Sequence, residues 1–414
     1  MKEEILSNLD NPVQLEKLYR TDKPAFKRVF KSLYPGLEQS PLARFWFERL
    51  NFTSDEITWG TRKDLLFVIF LSLLAGLLAK LPDILHLDRE AYLTRNIGFM
   101  TLSMLTVYFS WKNRLSAYGI AFVIIATLLG LFFINFFPDL NQSDTLILSC
   151  IHLPLFLWCI LGFSFTGDHR NTGDKRLDFL RYNGDLVVIT ALILIAGAIL
   201  SGLTIGLFSL IGFNIEKFYS NNIIMFALPI APIIGTYLVR NNPQLVGKVS
   251  PVIARIFSPL VMVMLVIYLI AIVYSGKNPY NDREFLLLFN ALLIGVMAII
   301  FFSLAESSKS TTSKTATWLL LLLPVVTVIV NGIALSAILF RISEWGITPN
   351  RAAVLGGNIL IFINLLLVIA RLFRVLTNKS ENTAVGNIIS SYLPVYFVWT
   401  IIVTFLFPFF FGFR

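Results

Sequence analysis

Eleven apolar stretches dominate this chain after residue 64, and short polar loops separate them. Most are about 20 residues long, which is the length that an α-helix needs to cross the hydrocarbon core of a bilayer. Asp, Glu, Lys and Arg are kept out of their interiors, and Lys80, near the end of the first stretch, is the one formal charge within them. Because lipid offers the backbone no hydrogen-bond partners, such stretches must form helices. The pattern predicts an all-α, polytopic transmembrane helix bundle.

The two shortest stretches leave the number of spans between 9 and 11. If the first two form a shallow hairpin, nine spans remain and every later loop keeps its side. A hydrophobic fraction of 56% and a charged fraction of 14% agree with a chain that lies mostly in lipid. The predicted spans are 65–81, 96–111, 116–137, 145–165, 186–213, 222–239, 256–275, 285–305, 317–340, 352–370 and 392–413.

The basic residues lie mostly on one side of the predicted bundle. The N-terminal segment and the even-numbered loops hold 25 of the 34 Lys and Arg residues, and the odd-numbered loops with the C-terminus hold the other 9. Positively charged loops stay in the cytoplasm, so the N-terminus is predicted to be cytoplasmic and Arg414 to lie outside. The net charge of +9 therefore reflects membrane topology, and no nucleic-acid partner is predicted.

Residues 1–63 are predicted to form a cytoplasmic amphipathic helical segment in front of the transmembrane domain 64–414. At three places a side chain that can cap a helix stands just before a proline, which is typical of a helix start. Three short helices are therefore expected. The three starts are Asn11-Pro12, Asp22-Lys23-Pro24 and Ser40-Pro41.

The second and third of these helices are predicted to be amphipathic and aromatic. Helices of this kind can lie on anionic lipid, pack as a cap beneath the bundle, or dock a protein partner. All three interpretations stay open. The predicted apolar positions are Phe26, Val29, Phe30 and Leu33 in the second helix and Leu42, Phe45, Trp46 and Leu50 in the third.

The sixth span contains two prolines near its middle, Pro229 and Pro232. Each proline removes a backbone donor and disfavours helical geometry just before it, so a kink or break is expected there. Broken helices are where many transporters bind their cargo. A plain kink without a functional role is the alternative.

Three asparagines are predicted to lie at one depth below the outer face of the bundle. Asn290, Asn331 and Asn358 belong to the eighth, ninth and tenth spans, each roughly 9 to 14 Å from the outer boundary by helical rise. With the charged loops above them they could form an outward-facing polar vestibule. Alternatively, their amides only bond one helix to another. The candidate charged rim consists of Asp282, Arg283, Glu284, Glu344 and Arg351.

Little else in the sequence indicates chemistry. Ala198, Gly202 and Gly206 stand at four-residue spacing in the fifth span and predict a helix packing face. The thiols Cys150 and Cys159 stand about 13 Å apart along one helix, too far for a disulfide. No nucleotide, hydrolase or zinc motif occurs, so no catalytic residue, cofactor or metal is predicted.

Several loops resemble a bacterial domain-of-unknown-function family, number 4153. The resemblance implies a multi-pass protein of the bacterial inner membrane, loosely described as permease-like, without an assigned catalytic residue. It extends from the N-terminal segment to the last span. The matching segments are 11–20, Tyr182-Asn183-Gly184-Asp185 leading into Ser201-Gly202-Leu203-Thr204, Ser275-Gly276-Lys277-Asn278-Pro279-Tyr280, and Gly346-Ile347-Thr348-Pro349-Asn350-Arg351.

Three functions are consistent with these features. The first is a permease-like protein that moves or binds a small or amphipathic solute, using the sixth helix and the asparagine level. The second is a membrane-embedded enzyme of envelope lipid or glycan assembly, with Asp282, Glu284 or Glu344 as acid, base or metal ligand. The third is a non-catalytic scaffold or regulator that acts through the N-terminal helices.

Overall fold

A computed structural model shows that the chain is helical and that no strand occurs among the described residues. In the described part of the chain, eight helices are long and apolar enough to cross a membrane, which confirms an all-α bundle with several spans. The chain divides into two compact units, Met1–Thr58 and Trp59–Arg414. The structure describes residues 2–51, 60–138, 143–167, 172–210, 214–243, 283–307, 314–377 and 383–414, with isolated positions between 258 and 280.

The N-terminal unit forms the three expected helices and one more. Its caps are side chains placed before each proline: Asn11 accepts a hydrogen bond from the Gln14 N–H, and Asp22 accepts one from the Ala25 N–H. The extra helix at the N-terminus has no proline start, but Glu3 and Glu4 in its first turn favour a helix through the dipole. The four helices are α1 (Lys2–Ser7), α2 (Pro12–Thr21), α3 (Lys23–Leu33) and α4 (Pro41–Asn51).

The apolar faces of these helices pack against one another and form a small core. Phe26 and Phe30 of α3 are fully buried, and their rings stack 5.6 Å apart. Trp46 of α4 lies 5.3 Å from the Phe26 ring. Phe45, predicted to share this face, is 59% exposed, and Ala43 is buried in its place. The buried aromatic residues are therefore engaged within the unit.

The larger unit contains the membrane-spanning helices. Their bounds extend most of the predicted spans by a few residues at each end. Predicted span 256–275 lies almost wholly outside the described residues. The helices are α5 (Arg62–Leu85), α6 (Arg89–Gly98), α7 (Met104–Lys112), α8 (Ala117–Asn135), α9 (Asp144–Thr166), α10 (Thr172–Leu210), α11 (Glu216–Tyr219), α12 (Met225–Ala227), α13 (Ala231–Asn241), α14 (Arg283–Ser307), α15 (Lys314–Trp345), α16 (Pro349–Leu376), α17 (Thr383–Ile401) and α18 (Phe407–Phe410).

Helix α10 begins well before the predicted start of the fifth span at residue 186. The charged residues assigned to a loop therefore lie on a helix. Arg181 is only 9% exposed, and its Nε donates to the carbonyl of Ala305 at 2.7 Å while Nη1 pairs with Asp178 at 2.6 Å. Because the last carbonyls of a helix have no partner within it, Arg181 satisfies one near the end of α14.

Three of the predicted spans contain irregular turns, and in the last of them a π-helical segment, Ile402–Leu406, joins α17 to α18. A π-helical segment, Phe99–Ser103, joins α6 to α7. The helix that contains the second apolar stretch is therefore continuous from Arg89 to Lys112, about 36 Å long at 1.5 Å per residue. The sixth stretch combines a π segment, Ser220–Ile224, with a 3-10 turn, Leu228–Ile230. Where the second and sixth stretches meet, the Thr101 hydroxyl donates to the Pro229 carbonyl at 3.3 Å.

Polar contacts join the ends of neighbouring helices. At one end the buried Asp64 of α5 pairs with Lys112 of α7 at 2.7 Å. At the opposite end of α5, Lys80 donates to the carbonyl of Asn221 at 2.9 Å, and Arg89 donates to the Asn221 side chain at 3.0 Å. Polar contacts therefore fix both ends of helix α5 to neighbouring helices.

The prediction that the small residues of α10 form a helix packing face is wrong within the described part of the chain. A Cβ built on Gly197, Gly202 or Gly206 meets no atom within 4 Å. Another glycine of the same helix, Gly184, makes the close approach instead, because a Cβ there would lie 1.9 Å from the Phe302 ring. Small residues allow a helix to approach its neighbour, but their spacing alone does not show which of them do so.

Candidate functional site

The three asparagines predicted to share one depth meet in the structure. Asn358 of α16 donates from Nδ2 to the Oδ1 of Asn290 on α14, at 2.8 Å. Asn331 of α15 donates from Nδ2 to the backbone carbonyl of Asn358, at 3.1 Å. A chain of amides thus links three helices. We call Asn290, Asn331 and Asn358 the polar layer.

One acceptor of the polar layer has no donor among the described residues. Asn331 is fully buried, and its Oδ1 has no hydrogen-bond partner. Asn364, also fully buried on α16, shows the same pattern: Nδ2 donates to the Tyr396 hydroxyl at 3.1 Å, while its Oδ1 is unpaired. A buried, unsatisfied carbonyl costs about 1 to 3 kcal/mol. Both oxygens therefore keep the capacity to accept a hydrogen bond from an N–H or O–H donor.

The rim residues that the structure describes act mainly at the turn between α15 and α16. Arg351 donates from Nη1 to the carbonyls of Trp345 and Gly346, at 2.8 and 2.7 Å. Its guanidinium also lies 5.7 Å from the centre of the Trp345 ring. These contacts hold the turn closed. Glu344 is exposed beside it.

The other members of the predicted rim lie outside the described side chains. Asp282 is not described, and for Arg283 and Glu284 only the helical backbone at the start of α14 is. Their convergence with Glu344 and Arg351, which the enzyme hypothesis needs, stays a prediction.

The prolines of the sixth span tighten the helix locally and do not separate it into two half-helices. Pro229 lies in the 3-10 turn, and Pro232 lies in the first turn of α13. Leu228, Ile230 and Ala231 all keep right-handed helical torsion angles. The irregular turn therefore falls at the predicted place, with a continuous chain of helical residues through it.

Sequence reasoning missed some polar contacts between helices. Asn96 and Asn135 exchange a reciprocal pair of hydrogen bonds at 2.9 Å, which joins α6 to α8. Asn364 and Tyr396 join α16 to α17. In each case the signal was an amide within an apolar stretch. His152 of α9 contacts the carbonyl of Leu148 on its own helix through Nδ1, at 2.9 Å.

Neither a metal-binding arrangement nor a known relative indicates the function of the polar layer. Among the described residues, no group of three or more His, Cys, Asp or Glu side chains is arranged to hold a metal ion. No family model matches the chain, and no curated protein or solved structure matches it significantly.

Proposed function

We propose that this multi-pass membrane protein is permease-like, and that it binds and passes a small or amphipathic solute at the polar layer. The observation that carries the proposal is the fully buried, unpaired Oδ1 of Asn331. A solute with hydrogen-bond donors would satisfy this oxygen. The enzyme and scaffold hypotheses have no comparable support among the described residues.

The energetics of the layer support a binding role. Asparagine pairs between membrane helices stabilise a bundle by only about 1 kcal/mol each. A layer built solely for that purpose gains most when every polar atom is paired, because a partly satisfied network costs more than an apolar one. The open acceptor of Asn331 is a loss for a structural contact and an advantage for a binding site.

The contacts between helix ends support the topology that such a protein needs. Asp64 and Lys112 meet at one end of the bundle, and Asn113 donates to the carbonyls of Ser164 and Phe165 at 2.9 and 2.8 Å. Sequence-predicted threading places all of these residues on the cytoplasmic side. Eleven spans, predicted from the apolar stretches, and a location in a bacterial inner membrane, implied by the family resemblance, form part of the proposal.

Access of water to the polar layer tests the proposal. In a background with Cys150 and Cys159 changed to alanine, Asn331→Cys and Asn358→Cys are exposed in intact membranes to 2-sulfonatoethyl methanethiosulfonate, a charged thiol reagent that does not cross lipid. We expect both cysteines to react, because a solute pathway must admit water at least intermittently.

Two further variants make the result decisive. Val330→Cys lies at the same depth on α15 in a fully buried, apolar position and should stay unreactive. Ile347→Cys, at a position 62% exposed in the turn after α15, should react readily and shows that the reagent reaches the outer face. If Ile347→Cys reacts while both layer cysteines remain protected, the asparagines only bond helices and the permease proposal fails.

A further inference from the structure

A second site, separate from the polar layer, lies near the adjoining ends of α9 and α10. There the structure contains a partly open cavity of about 440 Å³, within the range of small-molecule pockets. The cavity also contacts α8 and α17. Its walls are mainly aromatic and aliphatic and include Phe122, Trp158, Phe163, Phe179, Leu393 and Phe397.

The cavity carries positive charge at one end only. Arg176 lines it beside Thr166 and Gly167, where α9 ends. Its Nη1 donates to the carbonyl of Ser390 at 3.0 Å. In the part of the chain that the structure describes, no carboxylate forms a salt bridge with Arg176. The adjacent Lys175 donates to the Thr166 carbonyl at 3.3 Å and adds a second cation to this end.

We propose that this cavity binds one acyl chain of an anionic phospholipid, with the phosphate at Arg176. An apolar cavity that ends in a cation is complementary to an amphiphile with a negative head. Phe122 of α8 forms one side of the cavity and is 42% exposed. An acyl chain can therefore enter the cavity from the bilayer on this side. Arg176 lies near the end of α9 and the start of α10, and the ends of spanning helices are where headgroups are expected.

The predicted location of the cavity in the membrane also matches the distribution of anionic lipids. Sequence-predicted threading places the end of α9 on the cytoplasmic side, where anionic lipids are concentrated and attract basic residues. A guanidinium binds phosphate well because it offers several donors in one plane. The site is independent of the proposed function, since it shares no residue with the polar layer.

Fluorescence quenching by brominated lipid tests the site in the full chain. The protein is reconstituted in phosphatidylcholine vesicles that contain a minor fraction of dibrominated phosphatidylglycerol or, in a parallel sample, dibrominated phosphatidylcholine. The contribution of Trp158 is the difference between wild type and Trp158→Phe. We expect the anionic lipid to quench this contribution at lower mole fraction than the neutral one does.

Three variants identify the charge that selects the lipid. Arg176→Gln should weaken the preference about five-fold, the effect of one basic residue near the membrane surface. Arg176→Lys should keep it. Arg374→Gln removes an exposed arginine that does not line the cavity, and it should also keep the preference.

Other outcomes would overturn the proposal. Equal quenching by the two lipids in wild type would show that no anionic lipid is selected, and an equal loss in Arg374→Gln would show that only general surface charge matters. Stronger quenching by dibrominated oleic acid than by phosphatidylglycerol would assign the cavity to a free fatty acid and not to a membrane phospholipid.

Discussion

At the scale of single residues, one close contact between two helices depends on a missing side chain. Gly184 lets α10 approach the Phe302 ring of α14 so closely that an added Cβ would lie 1.9 Å from it. Gly184→Ala should therefore destabilise the bundle by about 1 to 3 kcal/mol, the usual cost of overpacking a core. Thermal unfolding of the purified protein in detergent measures the effect.

Gly202→Ala is the matched control, because it makes the same chemical change on the same helix. A Cβ at Gly202 meets no atom within 4 Å, and alanine favours a helix over glycine. Its unfolding temperature should equal or exceed that of wild type. Equal losses in the two variants would mean that α10 packs through the Gly202 face, as its spacing first suggested.

At the scale of elements, one carboxylate links two helices of the N-terminal unit, α2 and α4. Glu16 of α2 bonds Arg20 on its own helix at 2.8 Å and pairs with Arg49 of α4 at 2.9 Å. The hydrogen bond from Arg20 and the charge of Arg49 hold the pKa of Glu16 below its usual range. Because that pKa is lower in the folded state, ionised Glu16 stabilises the unit at neutral pH, and the stabilisation is lost as pH falls through the folded pKa.

Glu16→Gln should therefore reduce stability at neutral pH and make little difference in acid. Both arginines are partly exposed, so we expect only about 0.5 kcal/mol. Hydrogen exchange of the α3 and α4 amides, corrected for intrinsic rates, should show about a two-fold loss of protection near pH 7 and convergence with wild type once the pH falls below the folded pKa of Glu16. A difference that persists in acid would assign the effect to packing and not to charge.

The elements also show what local sequence can and cannot predict. Capping at Asn11 and Asp22 was predictable because each side chain acts on a backbone N–H three residues away. The exposure of Phe45 was not, because which stripe of α4 faces the core depends on its neighbours. The early start of α10 was missed because charged residues suggested a loop, whereas Arg181 finds its partner on α14.

The same limit applies to the candidate site. Helical rise placed Asn290, Asn331 and Asn358 at one depth, and depth follows from sequence once a span is recognised. Their hydrogen bonds require that α14, α15 and α16 adjoin with these faces inward. No periodicity in the sequence specifies that arrangement or the unpaired Oδ1 of Asn331.

At the scale of the whole molecule, the C-terminus constrains the number of crossings. The Thr145 N–H donates to the carbonyl of Arg414 at 2.9 Å, and the Ser143 hydroxyl donates to that of Phe413 at 2.8 Å. The start of α9 and the C-terminus therefore lie at one end of the bundle, so an even number of crossings must separate them.

The described helices account for an odd number if α14 crosses. Six candidate spans lie between Asp144 and the C-terminus, and α14 contributes a shorter apolar segment, Leu292–Ala305. We expect the additional crossing at the sequence-predicted span 256–275. With α5, α6–α7 and α8 before them, the prediction is eleven crossings.

Alkaline phosphatase fusions test this count, because the enzyme is active only outside the cytoplasm. A fusion after Gly247 should be inactive and a fusion after Asn278 active, since the predicted span separates them. Fusions after Thr377 and after Arg414 should likewise be inactive and active, because the basic loops stay inside. If Gly247 and Asn278 gave the same result, the segment between them would not cross. The contact of Thr145 with Arg414 would then require α14 to remain on one side of the membrane.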